Sequence, residues 1–225
     1  MNQQSWNDVD HYFAQLLVKP DAGLTGALRA NAEAGLPAID VAPTQGKLLM
    51  LLVKLCGARR VLEIGTLGGY STIWLARGLP AGGRIVTLES MPKHAEIAHS
   101  NLLHAGVAEH VEIRVAPAAE SLAQLVSEGA PPFDFVFLDA DKVNNARYLE
   151  WAMMLTRPGS VIVCDNVVRN GHVVDEDGTD ESVVGTRAFL DAVAEDPRLE
   201  ATAIQTVGVK GWDGFAVARV KRAPA

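Results

Sequence analysis

The chain reads as a doubly wound α/β fold of seven strands, five parallel ones alternating with helices and then a terminal antiparallel hairpin, with helices on both faces. Three observations predict it. Apolar runs of strand length alternate with helix-length segments five times between Arg60 and Glu195. One run, Phe133 to Leu138 (FDFVFL), is almost wholly apolar, as a central parallel strand covered on both faces must be. A glycine-punctuated turn, Gly65 to Gly69, follows the first run. At 225 residues, 48% hydrophobic and 21% charged, the composition is that of an ordinary globular chain. One domain over 1–225 is the default, with N-terminal helices in 1–57 and the α/β core in 58–225.

The elements follow in order. Trp6 to Val18 carries Val9, Phe13, Leu16 and Leu17 at helical spacing, and Lys19-Pro20 ends it because the residue before proline disfavours the α region. Thr25 to Ala34 is a short helix closed by Gly35. Pro43 opens a third, with Leu48, Leu49, Leu52, Val53 and Leu55 on its apolar side, stopped by Gly57. The strands are Arg60–Ile64, Arg84–Leu88, Val111–Val115, Phe133–Leu138 and Ser160–Cys164, the last preceded by a turn at Pro158-Gly159. The helices between them are Tyr70–Arg77, Pro92–Ala105, a segment through Leu122 and Val126, and Asn144–Leu155; Val183–Glu195 follows the fifth strand. Leu199–Thr206 and Gly214–Val220 form the closing pair, joined by a Gly-rich turn.

Composition excludes several classes. The net charge of −7 argues against a nucleic-acid partner. No segment approaches the ~18 apolar residues of a membrane span. The polar, acidic start lacks the basic and apolar regions of a signal peptide. Two cysteines, Cys56 and Cys164, form neither a disulfide framework nor a metal-ligand spacing, which fits a reducing compartment. A cytoplasmic protein is the expectation.

In doubly wound sheets ligands bind outside the carboxyl ends of the strands. The first such end is Glu63-Ile64-Gly65-Thr66-Leu67-Gly68-Gly69-Tyr70-Ser71. Its spacing is Gly-x-x-Gly-Gly, which departs from the dinucleotide fingerprint, and Glu63 would repel a pyrophosphate. The same residues also suit a plain strand-to-helix turn. Glu89 ends the second strand, where a carboxylate can accept from both hydroxyls of a ribose; alone it is equally a solvated charge. Adenosine without pyrophosphate suggests S-adenosylmethionine. Beyond the fourth strand stands Asp139-Ala140-Asp141-Lys142, and beyond the fifth Asp165-Asn166. Singly these suit a helix cap and a turn. If the two strands are neighbours, Asp139, Asp165 and Asn166 converge into a three-oxygen set suited to Mg²⁺, Mn²⁺ or Ca²⁺. Lys142 would lie beside that ion, where its pKa is expected to fall toward that of a general base.

The segments VLEIGTLGGYST, LDADK, CDNVVRNG and KGWDGFAVA together resemble the cation-dependent O-methyltransferases, the group of catechol and caffeoyl-CoA O-methyltransferases. The likeness spans about Val41 to Val220, and the bacterial caffeoyl-CoA-type branch is nearest, because LDADK is not carried by catechol O-methyltransferase. It implies a Rossmann-like sheet, S-adenosylmethionine and a divalent cation as cofactors, and a homodimer. It implies Asp139, Asp165 and Asn166 as metal ligands and Lys142 as the catalytic lysine. Val41, Glu63, Gly65, Thr66, Ser71, Glu89, Ala118, Asp139 and Asp141 match cofactor positions, and Asn170, with Lys142, a substrate position. Ala116 and Ala119 depart from the family's usual Gly and Leu, and Val167 to Asp180 has its own sequence. The expected reaction is methyl transfer to a vicinal-dihydroxy phenol. The competing readings are a non-catalytic S-adenosylmethionine- or nucleotide-binding regulatory module, and a nicotinamide-dependent dehydrogenase, which the glycine spacing disfavours.

Overall fold

A computed structural model describes residues 2–19 and 21–221. Three helices, α1 (Gln3–Leu17), α2 (Ala22–Glu33) and α3 (Pro43–Leu55), precede the sheet. Then follow β1 (Arg60–Ile64), α4 (Tyr70–Gly78), β2 (Arg84–Glu89), α5 (Pro92–His104), β3 (Val111–Val115), α6 (Ala118–Ser127), β4 (Phe133–Leu138), α7 (Asn145–Leu155), β5 (Thr156–Asp165), α8 (Glu181–Glu195), β6 (Leu199–Gly208) and β7 (Gly211–Val220). The strands form one sheet in the order β3-β2-β1-β4-β5-β7-β6. β1 to β5 pair in parallel, and β7 runs antiparallel between β5 and β6.

The topology fixes where a ligand can sit. From β1 the chain builds outward through β2 and β3, then returns to the other side of β1 for β4 and β5. The order therefore reverses between β1 and β4, and a crevice opens at their carboxyl ends. β4 is buried on both faces as its composition demands. Val136 and Leu138 join the core beneath α6, α7 and α8, while Phe135 and Phe137 join that beneath α3 and α4.

Four details differ from the sequence reading. Pro158-Gly159 does not precede β5 but lies within it, as an irregularity: Phe133 pairs Thr156, yet Phe135 pairs Val161. Ser160 Oγ holds the extra residues, donating to the Phe133 carbonyl at 2.7 Å and accepting from the Arg157 N–H at 3.0 Å. Leu55 is 81% exposed, and Met50 instead joins Leu49 and Val53 in the core. The closing strands are longer than expected, leaving only Val209 and Lys210 as the turn. The Lys19-Pro20 stop is only half visible: Val18 caps α1, and Pro20 lies outside the described residues. No helix of the described residues is long and apolar enough to cross a membrane.

α1 buries none of its residues, and Tyr12, Phe13 and Leu16 stand exposed. It is tied instead to the far end of the chain. The Asp10 carboxylate accepts the Val209 N–H at 2.8 Å, and Gln3 Nε2 donates to the Gly208 carbonyl at 2.7 Å.

Candidate active site

The loop after β1 presses on the strand end next to it. Gly65 sits at φ +102, a region L side chains rarely adopt, and a Cβ there would strike the Asp139 carbonyl oxygen. Only glycine lets the ends of β1 and β4 approach this closely. Glu63 lies fully buried beneath the loop. Its carboxylate accepts from Ser71 Oγ (2.6 Å), Thr72 Oγ1 (2.5 Å) and Thr87 Oγ1 (2.7 Å), and Thr66 Oγ1 adjoins Thr87 Oγ1 at 2.6 Å. The side chain thus ties β1 to α4 and β2 and does not line the cavity above it. Glu89 does line it. Its two oxygens accept the Leu67 N–H at 2.8 Å and the Met91 N–H at 2.9 Å, which shapes the rim of the loop.

Burial raises the Glu63 carboxyl from 4.5 to about 7, against the pull of its three hydroxyl donors. A folded-state pKa above the unfolded value contributes stability that is complete below pH 4.5 and lost as pH rises through about 7. Glu63→Gln should therefore gain on the native protein by roughly 2–3 kcal/mol between about pH 5 and about pH 8. Urea unfolding across that range measures it, and parallel curves for the two proteins would refute the buried titration.

A cavity of about 650 Å³ opens over these strand ends, within the range of small-molecule sites. Val41, Gly65, Thr66, Ser71, Glu89, Ala118, Asp139, Asp141, Lys142 and Asn166 line it. Asp165 and Asn166 line a second cavity of about 260 Å³, and Asn166, Asp40 and Val41 belong to both. β4 and β5 are paired neighbours up to Leu138 and Cys164, so Asp139 and Asp165 leave adjacent strand ends. Lys142, 8% exposed, places Nζ 2.8 Å from Asp139 Oδ1. Burial works against its ammonium, but Asp139 overrides burial and the pKa is raised, opposite to the fall expected from sequence. Burial, then the charge of Asp139, raises the Asp165 carboxyl; Lys142 opposes them.

Asn166 continues the β5 end at φ +59, and its N–H donates to Asp165 Oδ1 at 2.9 Å. The segment behind it is held from β7. Asp213 Oδ1 accepts three backbone N–H groups, from Val168 (3.0 Å), Arg169 (3.2 Å) and Gly214 (3.0 Å). Arg169 and Asn170, both at φ +55, lie on this pinned turn. Arg169 lines the larger cavity, whereas Asn170 is exposed and lines neither.

The residues present fit a hard divalent cation. Among the described residues no three His, Cys, Asp or Glu cluster as a metal site, so the expected donor set rests on Asp139, Asp165 and the Asn166 amide. Two carboxylates and one amide leave adjacent strand ends, and these are donor types that hard divalent cations take. The buried Asp165, crowded by Asp139, is the kind of carboxylate a cation relieves. The nucleoside side fits as well, with Glu89 at the rim and the glycine-permitted approach beneath.

Sequence reasoning missed several contributors. Asp40 lines both cavities and accepts Asn31 Nδ2 at 2.8 Å, while Asn101 Nδ2 bridges Asn31 Oδ1 (2.9 Å) and the Gly68 carbonyl (2.8 Å). This chain anchors the N-terminal segment to the glycine loop. Tyr148 donates to Asp141 Oδ1 at 2.5 Å, and Gln45 borders Asp165 in the smaller cavity. The tryptophan–aspartate–glycine run at Trp212 to Gly214 was the available signal for Asp213.

The O-methyltransferase family profile matches residues 21–220. A catechol O-methyltransferase of Niastella koreensis is 51% identical over 221 residues, covering 98% of this chain and all of that protein. One of Mycobacterium tuberculosis is 54% identical over 214 residues, covering 95% and 96%. The crystal structure of an O-methyltransferase from Bacillus cereus in complex with SAH superposes with a TM-score of 0.97 at 55% identity, covering 98% of this chain and 100% of that one. TomG of Streptomyces achromogenes, an O-methyltransferase involved in tomaymycin synthesis and solved with SAM, gives 0.95 at 51%, covering 99% and 100%. Sheet order and crevice thus define a Rossmann-like methyltransferase. The chain belongs to the O-methyltransferase family and is an S-adenosylmethionine-dependent enzyme of it. The regulatory-module and dehydrogenase readings are thereby set aside.

Proposed function

We propose that this enzyme methylates a catechol-like acceptor, a phenol with a neighbouring hydroxyl, with a divalent cation held by Asp139, Asp165 and Asn166. What supports this reading is that Asp139 and Asp165-Asn166 follow adjacent strand ends, with buried Lys142 against Asp139 and with Asp139, Lys142 and Asn166 lining the large cavity. The names of the Niastella and Mycobacterium relatives agree with it.

Glu89 and the Gly65–Ser71 loop hold the nucleoside of S-adenosylmethionine, and Val41, Ala118 and Asp141 border it. Asp139, Asp165 and Asn166 would hold the cation, which when bound would supply Lewis-acid stabilisation of an ionised acceptor hydroxyl. Lys142, held as an ammonium by Asp139, donates from Nζ to the phenolic oxygen and steadies it as it ionises, the proton leaving to water. The oxygen bonds to the methyl carbon as the carbon–sulfur bond breaks, its electron pair staying on sulfur. Opposite charges are neutralised, so the protein's contribution is alignment, worth ~7–11 kcal/mol at best. As its family resemblance implies, the enzyme works as a homodimer.

Chelation tests the reading. Exhaustive EDTA treatment should abolish methyl transfer to catechol, and Mg²⁺ or Mn²⁺ should restore it. Turnover indifferent to chelation would exclude the cation's role.

A further inference from the structure

The charged side chains lining the large cavity are almost all satisfied within the protein. Asp40 accepts from Asn31, Glu89 from two backbone N–H groups, Asp139 from Lys142, and Asp141 from Tyr148 and from Asn144 Nδ2 (2.5 Å). Arg169 is different. Its Nε is buried without a hydrogen-bond partner, and no ion pair joins its guanidinium to a carboxylate of the described residues. The buried Nε–H is a donor without an acceptor, the residue is part-exposed where it lines the cavity, and its planar donor fork matches a carboxylate.

Its backbone is fixed as well. Arg169 occupies a left-handed conformation, unfavourable for a side chain of this size, and persists there because Asp213 holds its N–H. Its backbone is therefore pinned at the cavity wall. That position is on the acceptor side. Arg169 follows β5, three strand spacings from Glu89 at the end of β2, or about 14 Å. It is three residues past Asn166, which borders both cavities.

We propose that Arg169 is a specificity-determining residue that pairs with an anionic group on the methyl acceptor, so that catechols carrying a ring carboxylate are preferred over neutral catechols. The inference rests on the catechol-like acceptor proposed above. The test compares protocatechuate, a catechol with a ring carboxylate, with catechol itself. In the native enzyme the ratio of kcat/KM values should favour protocatechuate. In Arg169→Met, which keeps the side chain's length, that ratio should fall about tenfold or more, chiefly through KM; Arg169→Lys should restore part of it. Calorimetry on protein saturated with S-adenosylhomocysteine gives a second reading without turnover. There protocatechuate should lose about tenfold or more in affinity, relative to catechol, in Arg169→Met. An unchanged ratio in both measurements overturns the proposal. So does a loss confined to S-adenosylhomocysteine affinity, which would assign the guanidinium to the cofactor. If native enzyme methylates neither compound, the acceptor reading fails, while the binding ratio still decides the role of Arg169.

Discussion

Asp165→Ala is expected to cut methyl transfer by about a hundredfold or more, because loss of the proposed cation ligand would exceed the 10–100-fold typical of residues that merely support one. The side chain is 5% exposed, and its removal leaves Asp139 paired with Lys142 alone. The residual rate should no longer respond to Mg²⁺ or Mn²⁺. S-Adenosylhomocysteine affinity should change little, since Glu89 and the glycine loop are untouched. Stability should hold or rise, because a carboxylate crowded by Asp139 has gone. Rate assays over a cation series, calorimetry and thermal melts read these three effects separately. A variant with native turnover and native cation response would remove Asp165 from the reaction.

The second large effect falls on Gly65. An alanine there must take φ +102 and place its Cβ against the Asp139 carbonyl. Left-handed geometry alone costs about 1–2 kcal/mol, and separating two packed strand ends adds to it. Gly65→Ala should therefore lose about 2–4 kcal/mol of stability. It should also weaken S-adenosylhomocysteine about tenfold or more, since a 1.4 kcal/mol loss of loop geometry already suffices. Gly35→Ala is the control: its φ is +69, with nothing within 4 Å of the added atom. That variant isolates the left-handed backbone penalty, about 1–2 kcal/mol, and should bind the cofactor normally. Equal behaviour of the two variants would mean that the contact with Asp139 has no consequence.

Much of the fold was legible because buried parallel strands write themselves plainly. β1, β3 and β4 begin and end where the apolar runs do. Since such strands deliver their ends to one edge, the acidic and glycine residues that follow them marked the site. The departures from the sequence reading are of two physical kinds. Pro158-Gly159 carries a strong local turn signal, yet pairing of Thr156 with Phe133 and the Arg157–Asp134 ion pair (2.5 Å) keep it inside β5. Local propensity yielded there to tertiary contacts. Glu63, Asn170 and Lys142 show the other kind. Position at a strand end or in a motif does not tell which way a side chain faces or what charge it meets. Three hydroxyls from two other elements turned Glu63 into an internal brace. Asp213, far along the sequence, set a left-handed turn that aimed Arg169 rather than Asn170 at the cavity.

The clasp between α1 and the final hairpin bears on the order in which the molecule assembles. Asp10 and Val209 are 199 residues apart, whereas Leu67 and Glu89 are separated by only 22. Closing the longer span has the larger entropic cost and waits on most of the sheet. The wall beside Glu89 can thus form early in refolding, while the smaller cavity, bordered by Asp10 and Gly208, is completed last.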